Sequence, residues 1–352
     1  MTGGQAQYGA LAAKVKALYG KRLRLEDFQH MAAFKSEAEV LEYLRAHPSW
    51  SRASGVLSTA GWDYVGRVEV EAALWNELRL EYLSLSHFVP RQDRALMDFR
   101  VRIAEYQALL NALRRLRTGK YAKGMPPPSP IVLRGKVDYR ALEAARSYDA
   151  ILDAARGSIY APTLLHLRPA PGAPLPDYTV CESLLRSAYF AHMLRIVRKQ
   201  YGGDTRQVLL RSFGEQIDLL NLMHVLRLKT YFPGTAADTC LTMLYPFQYR
   251  LKPAMIHALC AAPDAAAVFA LIRQTPYAAS FERVEAAEVE EYYRRAFYAF
   301  NRRCLLTGPP SIYTAIAYLD LKELELEVVV NVIESVKYGV PYNENLARLV
   351  GQ

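Results

Sequence analysis

Leu109-Leu110-Asn111-Ala112-Leu113-Arg114-Arg115-Leu116-Arg117 returns 110 residues later (219 − 109 = 110) as Leu219-Leu220-Asn221-Leu222-Met223-His224-Val225-Leu226-Arg227. A second step of 110 reaches Val329-Val330-Asn331-Val332-Ile333-Glu334-Ser335-Val336-Lys337, which keeps the apolar pair, the asparagine, the apolar positions and the closing base. Apolar residues at helical spacing mark each copy as an amphipathic helix. A breaker follows every copy: Gly124 with Pro126 to Pro128, then Pro233-Gly234, then Gly339 with Pro341. Self-similarity at a fixed period signals a repeated structural unit, and here it decides the fold.

A second repeated element lies ahead of each of these helices. Ser36, Ser147 and Asp264 are placed as N-caps of short helices carrying Ala38, Leu41 and Leu44 in the first copy, Ile151 and Ala154 in the second, and Ala265, Val268 and Leu271 in the third. Ser36 with Glu39 has the spacing of a capping box. The short helices stop near Trp50, Tyr160 and Tyr277, which are 110 and 117 residues apart. Two elements in shared order at nearly one period distinguish this pattern from the chance self-matches of a leucine-rich chain.

Further helical stretches run over Val68 to Ser84, Glu182 to Gln200 and Glu285 to Arg303, with Pro-rich segments at Met125 to Pro130 and Pro169 to Pro176. Ile131-Val132-Leu133 has strand character but is too short to build a sheet. The expected fold is all-α, with three similar helical domains over residues 1–123, 124–233 and 234–352. Asn111, Asn221 and Asn331 are expected to be structural: asparagine is a poor helix former, and a buried amide needs partners.

The chain has 352 residues, of which 51% are hydrophobic and 22% charged, the balance of a chain that can bury a core. Its longest uncharged stretch, Cys304 to Leu319, is shorter than a spanning helix and is broken by Gly308, Pro309 and Pro310. Met1 to Ala10 lack the basic-then-apolar run of a secretory signal, so the chain is expected in the cytosol. Cys181, Cys240, Cys260 and Cys304 lie far apart without CxxC spacing, which fits reduced thiols better than a disulfide frame or a zinc site.

The net charge of +9 is unevenly spread. Residues 1–123 carry 19 basic and 13 acidic side chains (+6), 124–233 carry 14 and 9 (+5), and 234–352 carry 11 and 13 (−2). A basic surface attracts nucleic acid, anionic lipid or an acidic protein. The run Arg114, Arg115, Arg117, Lys120, Lys123 is a candidate contact surface, with Tyr121 beside it for stacking. It belongs to no nucleic-acid-binding motif, and the polar face of a helix accounts for it equally well.

Catalytic patterns are missing. No GxxxxGK[ST] is present, and Thr118-Gly119-Lys120 lacks both the upstream glycine and the following hydroxyl. His30, His47, His87, His166, His192, His224 and His257 are scattered with no HExxH, and there is no GxSxG elbow. The acidic groups Glu288, Glu290, Glu291 and Glu323, Glu325, Glu327 suit a structural role better than acid–base work. Arg294 and Arg295 follow Glu290 and Glu291 at the four-residue spacing of helical ion pairs. No catalytic residue, cofactor or metal is expected.

Asp218-Leu219-Leu220-Asn221-Leu222 through Arg227-Leu228-Lys229-Thr230-Tyr231-Phe232, with the ending Leu321-Lys322-Glu323-Leu324-Glu325 through Asn331, Lys337, Gly339 and Pro341, resembles the C subunit (d in eukaryotes) of V-type and A-type rotary ATPases. The resemblance spans essentially the whole chain. Its most specific part is an asparagine helix ending in a base, with an acid shortly before the asparagine. Asp218 and Glu327 supply that acid in the second and third copies, and Ala108 stands at the corresponding place in the first. The resemblance implies three similar helical domains in a pseudo-threefold funnel, peripheral to the cytoplasmic face of a membrane. It implies a non-catalytic central-stalk rotor subunit that couples central-shaft subunits to the membrane rotor ring, for ATP-driven ion transport or ATP synthesis. Arg114, Arg115 and Arg117 are the candidate partner-binding residues. The competing readings are a stand-alone basic helical scaffold for nucleic acid or an acidic protein, and an enzyme with a dispersed site.

Overall fold

The short helices begin where their caps require. Ser36 Oγ accepts the Glu39 N–H at 3.3 Å, Ser147 Oγ the Ala150 N–H at 3.2 Å, and Asp264 Oδ1 the Ala267 N–H at 2.8 Å. Each bond satisfies one of the N–H groups that a helix start leaves without an internal partner. Glu39 departs from the expected box. Its carboxylate accepts the N–H of Lys35 at 2.9 Å, one residue ahead of Ser36.

The computed structural model describes residues 3–51, 67–119, 134–278 and 289–352, and among them it is all helix and loop, with no strand. The chain runs through α1 (Gly3–Tyr19), α2 (Leu25–Ala32), α3 (Glu37–Ala46), α4 (Arg67–Ser86), α5 (Arg94–Met97) and α6 (Phe99–Thr118). It continues through α7 (Tyr139–Ala144), α8 (Tyr148–Ala154), α9 (Ala161–His166), α10 (Tyr178–Gln200), α11 (Gly203–Tyr231) and α12 (Ala237–Thr242). The last helices are α13 (Pro253–Ala261), α14 (Ala265–Ile272), α15 (Val289–Thr307), α16 (Ile312–Tyr338) and α17 (Glu344–Val350). The expected helical stretches fall in α4, α10 and α15, and Pro169 to Pro176 is loop. Ile131-Val132-Leu133, the segment Met125 to Pro130, and residues 285–288 lie outside the described residues.

The three repeat helices are α6, α11 and α16. Two of them end on a left-handed glycine, Gly119 at φ 64° and Gly339 at φ 66°, where a side chain would be strained. The first stop is therefore Gly119, ahead of the expected Gly124, which lies outside the described residues.

The described residues gather into two compact units. One contains α1 to α5 and the C-terminal stretch from Phe297, and its centre is α16. Against α16 pack α1, α2, α3, α4 and α17. Ile312, Tyr313, Ala315, Ile316, Ala317, Tyr318 and Leu319 are consecutive or nearly so and all buried, the signature of a helix enclosed on every side. Each fully buried isoleucine or leucine there contributes about 1.5–3 kcal/mol. The second unit contains α6 to α14 and runs to Ala296. In it α10 lies against both α6 and α11, while α7 and α8 pack on α6, and α14 on α11.

Candidate functional site

Each repeat helix carries a buried carboxylate that holds in place a pair of short helices. On α11 it is Asp218, with no exposed surface. Its Oδ1 accepts the Tyr249 N–H at 3.1 Å, and its Oδ2 accepts the N–H groups of Arg250 (2.7 Å) and Leu251 (3.1 Å). The Tyr277 hydroxyl donates to Oδ2 at 2.8 Å. The first three donors lie on the loop that enters α13, and the fourth follows α14. Burial and the adjoining Asp218 carboxylate push the Tyr277 phenol well above its ordinary pKa, so it stays a donor. One turn along, the Asn221 amide donates to the Tyr245 carbonyl at 3.1 Å and accepts the Tyr245 N–H at 2.8 Å.

Glu105 does the same on α6. It is fully buried, and its Oε1 accepts the N–H groups of Lys136 (2.6 Å) and Val137 (3.3 Å) on the loop entering α7. Arg102 pairs with Oε2 at 2.7 Å, and the Tyr160 hydroxyl donates to the Arg102 carbonyl at 2.6 Å. A Cβ on Gly135 would collide with the Glu105 carboxylate, so glycine lets the loop close on it without displacing that side chain.

On α16 the residue is Glu325, 3% exposed. Trp50, which follows α3, donates Nε1–H to it at 2.7 Å, and Lys322 pairs with it at 3.0 Å. The Lys322 ammonium also donates to Ser49 Oγ at 2.6 Å and sits 3.9 Å from the Trp50 ring centroid. Trp50, Tyr160 and Tyr277, marked in the sequence only as helix ends, thus each reach back to a repeat helix, Trp50 and Tyr277 to the carboxylate and Tyr160 to the Arg102 carbonyl.

The structure revises which acids match. Asp218 is used as expected, but its counterparts are Glu105 and Glu325, not Ala108 and Glu327. Glu327 is half-buried, and its carbonyl accepts the Asn331 amide at 2.8 Å. The signal was present in the sequence: Glu105, Glu215 and Glu325 recur at 110, and Arg102, Ser212 and Lys322 recur three residues earlier. Only the middle copy lacks a base, and there the role moves one turn on to Asp218. Glu215 instead pairs with Arg211 at 2.9 Å. The asparagines differ too. Asn221 is buried and doubly bonded, Asn331 is half-buried and bonded within its own helix, and Asn111 is exposed.

The candidate basic residues sit at the C-terminal end of α6. Arg114 is exposed, donates to the Tyr178 hydroxyl at 2.6 Å and stands 4.9 Å from that ring's centroid. Arg117, half of whose side chain is exposed, faces Asp177 at 3.8 Å, and Asp177 is the N-cap of α10. Arg115 is partly buried and donates to the Leu142 carbonyl at 3.2 Å. All three are therefore tied to their own chain. Lys120, Tyr121 and Lys123 lie outside the described residues, as do Glu288 and the side chains of Glu290 and Glu291. The ends of α11 and α16 expose aromatics instead: Tyr231 at 74%, Phe232 at 66% and Tyr338 at 57%.

Among the described residues, no group of three or more His, Cys, Asp or Glu side chains is placed to hold a metal ion. No helix among them is long and apolar enough to cross a membrane. His224 is desolvated and faces Arg186 and Arg227, which lower its pKa to about 4 and keep it neutral near pH 7.

Buried acids that fasten long helices to short ones define a helical scaffold of repeated clasps. The family match is specific: a family model of the ATP synthase (C/AC39) subunit covers residues 11–346, and the chain belongs to that family. No individual curated protein matches the chain.

Proposed function

We propose that this chain is the non-catalytic rotor coupler of a V/A-type ATPase, joining the central-shaft subunits to the membrane rotor ring. It is peripheral to the membrane on its cytoplasmic side and requires no cofactor. The observation that carries this reading is family membership over residues 11–346. The clasps support it physically, because transmitting torque requires a body that does not yield, and buried charge-assisted hydrogen bonds are among the stronger non-covalent ties. Affinity purification of the chain from detergent-solubilised membranes is expected to bring down the catalytic and ring subunits of the ATPase. Recovery of the chain alone, or with nucleic acid, overturns the proposal.

We also propose that the chain is a pseudo-threefold, funnel-like array divided near residues 123 and 233. What supports this is that short helices of one third pack on the long helix of another. The pair α7–α8, which opens the second third, packs on α6 of the first, α14 of the last third packs on α11 of the second, and α2–α3 of the first third pack on α16 of the last.

Arg114, Arg115 and Arg117 are proposed to face the ring, on the strength of the +11 carried by residues 1–233 (6 + 5) against −2 for the remainder. Arg115 also bonds the Leu142 carbonyl within α7, so the test reverses Arg114 and Arg117 alone to glutamate. Docking to purified ring is expected to weaken and its salt dependence to flatten, since exposed charges act within a Debye length of about 8–10 Å. Unchanged docking with an unchanged salt slope removes this patch from the interface.

A further inference from the structure

Cys240 and Cys260, 20 residues apart in sequence (260 − 240 = 20), are brought together by the packing of α12 on α13. Both are free thiols with no exposed surface, and both belong to the core of Leu222, Leu226, Leu259 and Val268. Their side chains adjoin in that core, and the Lys229 ammonium lies close enough to act on both. The other two cysteines stand elsewhere, Cys181 on α10 and Cys304 on α15.

We propose that Cys240 and Cys260 form a redox pair, a modification site at which a small hydroperoxide converts two thiols into one disulfide. Cys240 is the attacking sulfur, because it sits on the shorter and more easily opened of the two helices. Access follows from the local fold. Cys240 is the one buried side chain of six-residue α12, so opening that single short helix uncovers the thiol, and its return to α13 brings it back beside Cys260.

The chemistry balances. The Cys240 thiolate attacks one peroxide oxygen, the O–O bond breaks, and the released hydroxide takes up the proton that the Cys240 thiol gave up and leaves as water, with Cys240 now a sulfenic acid. The Cys260 sulfur then attacks the Cys240 sulfur; the S–S bond forms, the S–O bond breaks, and the departing hydroxide takes up the Cys260 proton as a second water. Two thiols are oxidised by two electrons, and one hydrogen peroxide is reduced to two waters. The bond would tie α12 to α13 across the loop that Asp218 already holds at Tyr249, Arg250 and Leu251.

The full-length chain is treated with hydrogen peroxide, its remaining thiols are alkylated, and it is digested without reductant for mass spectrometry. The expected product is a cross-linked peptide pair containing Cys240 and Cys260, lighter by two hydrogens and separated again by dithiothreitol. In Cys260→Ser, a sulfenic-acid trap is expected to label Cys240, and in Cys240→Ser to leave Cys260 unlabelled. Oxidation of Cys304 in the same folded sample with no Cys240–Cys260 cross-link overturns the pair, as does a cross-link to any other cysteine. Equal trapping at both positions overturns the assignment of Cys240 as the attacking sulfur. The cross-link measurement uses the unmodified chain, so its outcome does not depend on the folding of either variant.

Discussion

Asp218 and Glu325 are both buried carboxylates midway along a long helix, yet each is neutralised differently. Asp218 is met by three backbone N–H groups and a tyrosine hydroxyl, all dipoles. Glu325 is met by an ammonium and an indole N–H, and the ammonium is itself buried. A carboxylate held by dipoles leaves no second charge behind when it is removed. One held by a lysine does, because taking away either partner strands the other in a medium that solvates charge poorly. The same architectural task, fastening short helices to a long one, therefore carries different vulnerabilities in the two units.

The sharpest way to break this comparison is Lys322→Met. It leaves Glu325 uncompensated and removes the contact with the Trp50 ring, with an expected loss of about 3–5 kcal/mol in urea unfolding. Adding Glu325→Gln should recover part of that loss. If the double variant is less stable than Lys322→Met, the stranded charge is not the cause.

Asp218→Asn should cost less, about 1–3 kcal/mol, since the amide keeps one acceptor oxygen but turns an NH₂ group toward N–H donors. A loss as large as that of Lys322→Met would show that the two clasps do not differ in kind. Among the asparagines, Asn221→Ala is expected to lose about 1–3 kcal/mol because it strands both backbone groups of Tyr245. Exposed Asn111→Ala should stay within about 0.5 kcal/mol. Equal thermal shifts for these two would contradict the difference in burial.

The smallest effect near neutral pH concerns His224. Its folded pKa of about 4 lies below the ordinary 6.5, so the unfolded chain binds the extra proton between these values. The stability contributed by the neutral ring is whole above pH 6.5 and is lost as pH falls toward 4. His224→Gln is expected to flatten the dependence of the unfolding midpoint over that window and to leave pH 7 to 8 little changed. An unaltered slope would assign the acid sensitivity to other groups.

Local features are legible in the amino-acid sequence by itself. The caps at Ser36, Ser147 and Asp264, the stops at Gly339 and Pro233-Gly234, and the period of 110 depend on residues a few places apart or on direct comparison of segments. They determined the helices and the all-α class. What only the tertiary structure decided are pairings across long stretches of chain. Trp50 meets Glu325 from 275 residues away, and Asp218 replaces Glu215 once Ser212 leaves no base for an acid at that turn. The same holds for Cys240 and Cys260, which spacing alone had separated, and for Arg114 and Arg117, whose charges turn to Tyr178 and Asp177. The physical reason is that a helix and its caps are set by bonds within a turn or two. The partner of a buried charge is chosen by whichever donor the whole fold brings within about 3 Å of it.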